Sequence, residues 1–189
     1  GLTISKQQVA ELDRVVYNGD IIVIDHIAQV KDAVNHLSSK IAIGFDTETK
    51  PAFKRGQVNN VALLQLATEE ECYLFRLNKI GFPKELEDLM SNVSVKKIGL
   101  SLRDDFAALK KRTGKTPENF IDLQLFVDKF DIDDNSLQKI YAILFGQKIS
   151  KSQRLSNWEA AELSPAQQSY AAIDAWACLR IYNHLTQKS

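Results

Sequence analysis

Three acidic strings stand in a fixed order along the chain: Asp46-Thr47-Glu48 ends an apolar run, Asp104-Asp105 opens a helical pattern, and Tyr170-Ala171-Ala172-Ile173-Asp174 lies inside a late one. Carboxylates gathered at the edge of a core repel one another and are costly to desolvate, so a positive partner is expected between them. Mg²⁺ or Mn²⁺ suits that role. Both are hard cations held by one or two carboxylates together with waters and substrate phosphate oxygens.

The elements that must position these groups are legible in the apolar pattern. Ile41-Ala42-Ile43-Gly44-Phe45 reads as a buried strand, and its two-residue period puts Asp46 and Glu48 on one face with Ala42 and Gly44. Ile41, Ile43 and Phe45 then face a hydrophobic layer, and the small residues below the carboxylates are expected to leave room for ions and substrate. Taken alone, Asp-x-Glu also fits a strand end running into an acidic loop. After Leu163-Ser164-Pro165, the positions Tyr170, Ile173, Ala177, Ile181 and Leu185 fit one helix with Pro165 near its start. Tyr170 and Asp174 are then neighbours four residues apart, with Asp174 on the apolar side, where a charge needs a partner. An ordinary hydrogen bond between them is the plainer alternative. Val95–Leu102 reads as a strand and Arg103–Lys111 as a helix. Acids in a first helical turn are stabilised by the helix dipole, a purely structural role that suits Asp104 better than Asp105.

The ordered set resembles the DEDD (DnaQ-like) 3′-5′ exonuclease superfamily, in the branch whose third motif carries a tyrosine. Gly44-Phe45-Asp46-Thr47-Glu48, Val61-Ala62-Leu63-Leu64-Gln65-Leu66, Cys72-Tyr73-Leu74-Phe75, Ser156-Asn157-Trp158 and Tyr170-Ala171-Ala172-Ile173-Asp174 look like Werner-type exonuclease domains, with ribonuclease D more distant. The likeness covers about residues 41 to 185. It implies Asp46 and Glu48 in the first motif, Asp105 in the second, and Tyr170 with Asp174 in the third. Asp105 is preferred to Asp104 because the family aspartate lies six residues beyond the glycine matched by Gly99 and directly precedes the apolar position filled by Phe106. The resemblance further implies hydrolysis of phosphodiester bonds with two divalent ions. Asp46 would bridge both ions, Glu48 and Asp174 would complete the first, Asp105 would support the second, and Tyr170 would orient the attacking water.

The coarse fold agrees. Ile21–Ile24, then strands near 41–47, 61–67, 72–77 and 95–101, with helices near His26–Leu37, 83–90 and 103–112, predict an α/β, ribonuclease H-like mixed β-sheet flanked by helices. At 189 residues and 44% hydrophobic, the chain suits one domain over 1–189, with 1–40 as an N-terminal strand and helix extension. No stretch is apolar and long enough to span a bilayer, and residues 1–6 show no secretory h-region. Cys72 and Cys178 fit core packing in a reducing, intracellular setting, cytoplasmic or, for a eukaryotic source, nuclear. His26, His36 and His184 form no metal-spaced group, and the lack of a histidine near Asp174 favours the tyrosine branch.

Charge is balanced, 24 basic against 24 acidic residues, whereas a nonspecific duplex binder normally shows a strongly basic face. The expected partner is a nucleic-acid 3′ end, with DNA favoured over RNA, gripped largely through metal and helped by an accessory or helicase partner. Thr47, Lys54, Arg55, Lys151, Arg154 and Trp158 are the candidate substrate contacts. Trp158 and Phe53 offer rings for base stacking, worth about 1–3 kcal/mol per base, although Trp158 better fits a core anchor before the last helix. Gln65, between apolar neighbours, is expected to satisfy buried backbone. Three alternatives remain: ribonuclease D-like RNA trimming, a catalytically inactive nucleic-acid-binding scaffold, and another metal-dependent phosphohydrolase on the same frame.

Overall fold

In the computed structural model, residues 1–187 are described. The elements run α1 (Lys6–Ala10), β1 (Asp20–Ile24), a 3₁₀ turn (Ile27–Gln29), α2 (Val30–Ser38), β2 (Ala42–Thr49), β3 (Val61–Ala67), β4 (Glu71–Arg76) and α3 (Leu77–Ile80). They continue with α4 (Lys84–Ser91), β5 (Lys96–Gly99), α5 (Arg103–Lys110), β6 (Phe120–Asp122), α6 (Leu123–Phe126), a 3₁₀ turn (Val127–Phe130), α7 (Leu137–Phe145) and α8 (Pro165–Thr186).

The six strands form one sheet in the order β1-β4-β3-β2-β5-β6. Only β3 runs against the rest, pairing antiparallel with β2 and β4, while β1–β4, β2–β5 and β5–β6 are parallel. This is the expected mixed sheet. Residues 20–24, in the N-terminal strand and helix extension, form β1 and close one edge of the sheet against β4. The expected helix over His26–Leu37 begins instead as a 3₁₀ turn, with regular α-helix only from Val30.

Helices cover both faces, which is why β3 is buried at every position. On one face Ile43 and Phe45 join a core with α2, α4 and α5, through Val34, Leu37, Leu86, Met90 and Leu109. On the other, α8 packs Tyr170, Ala171 and Ala175 against Leu63 and Leu74, and Ile173 and Ile181 against α7 and β5. Ile41 does not share the first core as its alternation predicted. It precedes the strand and is 80% exposed. Ser164 caps α8 in a reciprocal capping box with Gln167, and Pro165 supplies the preset φ of the first turn.

Candidate active site

β2 and α8 make the site by lying directly on one another. At Gly44 a β-carbon would overlap the Ala175 carbonyl oxygen and crowd the Leu179 Cβ. The small residues under the carboxylates therefore admit the last helix, not ions or substrate as the sequence suggested. Their effect is to bring Asp174, one residue before Ala175, to the end of β2. There Asp46, Glu48 and Asp174 each offer a carboxylate oxygen within 4.8 Å of the others.

This cluster is electrostatically unfinished. Asp174 is buried and its Oδ1 has no hydrogen-bond partner. Among the described residues the Glu48 side chain hydrogen-bonds only to Gln65, whose Nε2 donates to Glu48 Oε1 at 3.4 Å and to the Ala171 carbonyl at 3.3 Å. Gln65 thus satisfies buried backbone, as expected, and also links the first motif to α8. No salt bridge among the described residues involves the three carboxylates. Burial pushes Asp46 well above the ordinary carboxylate range, and the Glu48, Asp174 and Asp105 charges push it further. Glu48 rises to about 8, from burial first and then Asp174. Asp174 rises to about 7, again from burial, tempered by the Tyr170 hydroxyl and by Lys151. Three acids that all resist ionisation, with a buried oxygen among them that has no hydrogen-bond partner, form a site suited to a positive charge. The donor set fits a hard divalent metal, being all oxygen and half-buried to buried.

Asp105 stands apart. It lies in the first turn of α5 and accepts a hydrogen bond from Thr47 Oγ1, and its charge reaches both Asp46 and Glu48. Burial raises it to about 6 against the lowering effect of that hydroxyl. Asp104 is exposed at the surface of the same turn. Asp105 is thus the half-buried member of the pair, coupled to β2 through Thr47, whose hydroxyl the structure gives to Asp105 rather than to open solvent.

The turn that aims α5 rests on a residue the sequence reading passed over. Asp122, at the end of β6, accepts from Ser101 N at 2.9 Å and Leu102 N at 3.0 Å, holding Ser101 at φ 56° just before the helix. An aspartate closing a short strand was the available signal. Also missed was a cavity of about 330 Å³ opening beside Asp46 and Asp174, with Leu100, Gln124, Ser136 and Gln138 in its wall.

The remaining candidates separate. Trp158 is fully buried, 5.9 Å from the Tyr170 ring between centroids, so it presents no face to a base and serves as the core anchor. Lys151 and Arg154 are exposed in the segment before α8, and their charges reach Asp174 and Tyr170 respectively. Lys54 and Arg55 sit in the open connection from β2 to β3, beside Phe53, which is 84% exposed. Cys72 and Cys178 are buried free thiols.

A family profile described as 3′-5′ exonuclease matches residues 21–189. The chain belongs to the 3′-5′ exonuclease family. It is 34% identical over 161 residues to mouse "Bifunctional 3'-5' exonuclease/ATP-dependent helicase WRN", a match covering 82% of this chain and 12% of that protein. Among solved structures, the Aedes aegypti Nibbler EXO domain shares the fold at a TM-score of 0.79 and 23% identity, covering 92% of this chain and 95% of the other. Trypanosoma brucei RNase D in complex with RNA U12 aligns at a TM-score of 0.80 and 22% identity, covering 91% and 64%. The family match starts at residue 21, earlier than the motif likeness over about 41 to 185, in keeping with β1 lying in the sheet.

Proposed function

We propose that this exonuclease-family domain removes nucleotides one at a time from the 3′ end of a nucleic acid, DNA in preference to RNA, with two divalent ions, Mg²⁺ or Mn²⁺. The observation that carries the reading is the cluster of Asp46, Glu48 and Asp174 within 4.8 Å, with the buried Asp174 Oδ1 left without a partner. Asp46, Glu48 and Asp174 would hold one ion, and Asp46 with Asp105 the other. When bound, the ions supply an acidified water at neutral pH and neutralise charge on the leaving 3′-oxygen.

The chain's own residues do the rest. Burial and the neighbouring Asp174, Glu48 and Asp46 charges push the Tyr170 phenol above its ordinary range. It therefore keeps its proton at neutral pH and acts by orienting the attacking water, not by removing its proton. Gln65 holds Glu48 in place against α8. Lys151 and Arg154, exposed beside the cluster, are suited to the phosphates flanking the scissile bond. The products are a nucleoside 5′-monophosphate and a strand one residue shorter. The preference for DNA follows the mouse relative, in which an exonuclease is joined to a helicase. A helicase or other strand-opening partner, inside the cell, fits the same reading.

The test is a panel of 5′-labelled single-stranded and recessed-3′ DNA and RNA with each metal. Stepwise shortening that Asp46→Ala and Asp174→Ala abolish supports the reading, and DNA should shorten faster. Intact substrates throughout overturn it. Cleavage of circular DNA would point to an endonuclease instead.

A further inference from the structure

We propose that Arg76 is a positioning residue for this reaction: from the end of β4 it clamps the segment between α7 and α8, so that Lys151 and Arg154 face the carboxylate cluster. The inference rests on the exonuclease reading above and names a part of the machinery that none of the motifs contains.

Arg76 is 2% exposed. Its Nη1 donates to the Ala161 carbonyl at 3.0 Å and its Nη2 to the Ala160 carbonyl, while Nε has no partner. No carboxylate pairs with it among the described residues. A guanidinium held by two main-chain carbonyls, with only the more distant Asp25 charge to offset its burial, is an expensive way to fill space, because an apolar side chain of similar volume at a buried charged position is often neutral or stabilising. The planar fork does what an apolar chain cannot: it fixes two successive peptide groups in direction as well as distance.

Its place in the sheet makes that directional hold useful. Arg76 is paired with Leu63, and Leu63 with Glu48, so Arg76 stands in the same cross-strand row as the first motif. The residues it grips belong to a stretch without helix or strand from 150 to 164. Such a stretch lacks the main-chain ladder that would otherwise fix it. Side chains set its course. Gln167 donates from Nε2 to the Asn157 carbonyl at 3.0 Å and to Ser156 Oγ at 3.1 Å, and Trp158 is buried against Tyr170. Trp158 Nε1 also reaches the Arg154 carbonyl at 3.5 Å. Arg76 is the third fastening, on the far side of Trp158 from the two cations. With it in place, the positions of Lys151 and Arg154 are fixed before any strand arrives.

The experiment is a mutant cycle on the whole chain with 5′-labelled single-stranded DNA and Mn²⁺. Arg76→Met keeps length and loses the fork. It should raise KM about tenfold, leave kcat within about threefold, and speed amide exchange across 150–164, with Mn²⁺ affinity by calorimetry unchanged. In a Lys151→Ala/Arg154→Ala background it should change KM no further. If Arg76→Met does not fold, Arg76→Lys is carried through the same cycle. Full additivity with the two cations, or a loss of stability with unaltered KM and exchange, overturns the proposal. If the unmodified chain degrades no substrate, the exonuclease reading has failed, and the clamp is then judged by exchange across 150–164 and by binding of the labelled strand. On those readouts, unchanged exchange and binding in Arg76→Met sink it.

Discussion

Thr47 donates its hydroxyl to the Asp105 carboxylate, tying the strand of the first motif to the helix of the second. The residue between the two acids of the first motif thus orients the acid of the second, whose charge reaches Asp46 and Glu48. Thr47→Val keeps the β-branched shape and removes the donor. We expect activity on a 5′-labelled strand to fall about tenfold, equivalent to about 1.4 kcal/mol, with little change in unfolding midpoint. Asp105→Ala should cost more, and Asp104→Ala close to nothing. A greater loss from Asp104→Ala would reverse the assignment.

The cluster makes the metal-free protein sensitive to pH in a definite direction. Burial pushes Glu48 up to about 8 and Asp174 up to about 7 in the folded chain, from ordinary values of 4.5 and 3.8. Between those limits the folded state holds more protons than the unfolded one, so stability falls as pH rises. Thermal melts in chelator should show a declining midpoint from about pH 4 to pH 8. Added Mn²⁺ should raise the midpoint more at pH 8 than at pH 5. A midpoint that climbs with pH across that range in chelator would contradict the arrangement.

Asp174→Asn separates stability from chemistry. It removes a buried group that resists ionisation and keeps the shape, so the chelated protein at pH 8 should melt higher than the unmodified one. Activity should drop by a factor of at least about 10³, since metal holding is lost with the charge. Differential scanning calorimetry beside a nuclease assay reads both.

Tyr170→Phe tests the role of the phenol. Because Tyr170 is packed over Trp158 and keeps its proton, loss of the hydroxyl should lower kcat about 10²-fold and leave KM and the fold nearly unchanged. A rise of kcat with pH that persists unaltered in Tyr170→Phe would show that the phenol does not serve as the base. A kcat equal to the unmodified chain's would remove it from the mechanism.

Much of this was written in periodicity. The alternation through Ile43 and Phe45, the Ser164-Pro165 start of α8 and the i, i+4 spacing of Tyr170 and Asp174 all appear where the pattern puts them. What the pattern does not carry is contact between distant segments. Gly44 reads as spare volume until Ala175, over a hundred residues later in the chain, is laid across it. Arg76 reads as the polar end of a strand until its fork meets Ala160 and Ala161. Trp158 reads better as an anchor than as a stacking platform, and its burial decides for the anchor. Asp122 shows the same limit at short range, since its partners lie across a strand pairing that spacing alone does not specify.

The contact between Gly44 and Ala175 also sets how adjustable the proposed catalytic centre is. Because main chain meets main chain there, the span from Asp46 to Asp174 behaves like a fixed calliper with no side chain to trim or extend. Gly44→Ala must push the helix away and should cost about 1–3 kcal/mol in urea unfolding along with the metal site. Any retuning toward an ion of different radius has to come from the movable jaws, Glu48 with Gln65 and Asp105 with Thr47, while the gap between the two ends stays set by the backbone.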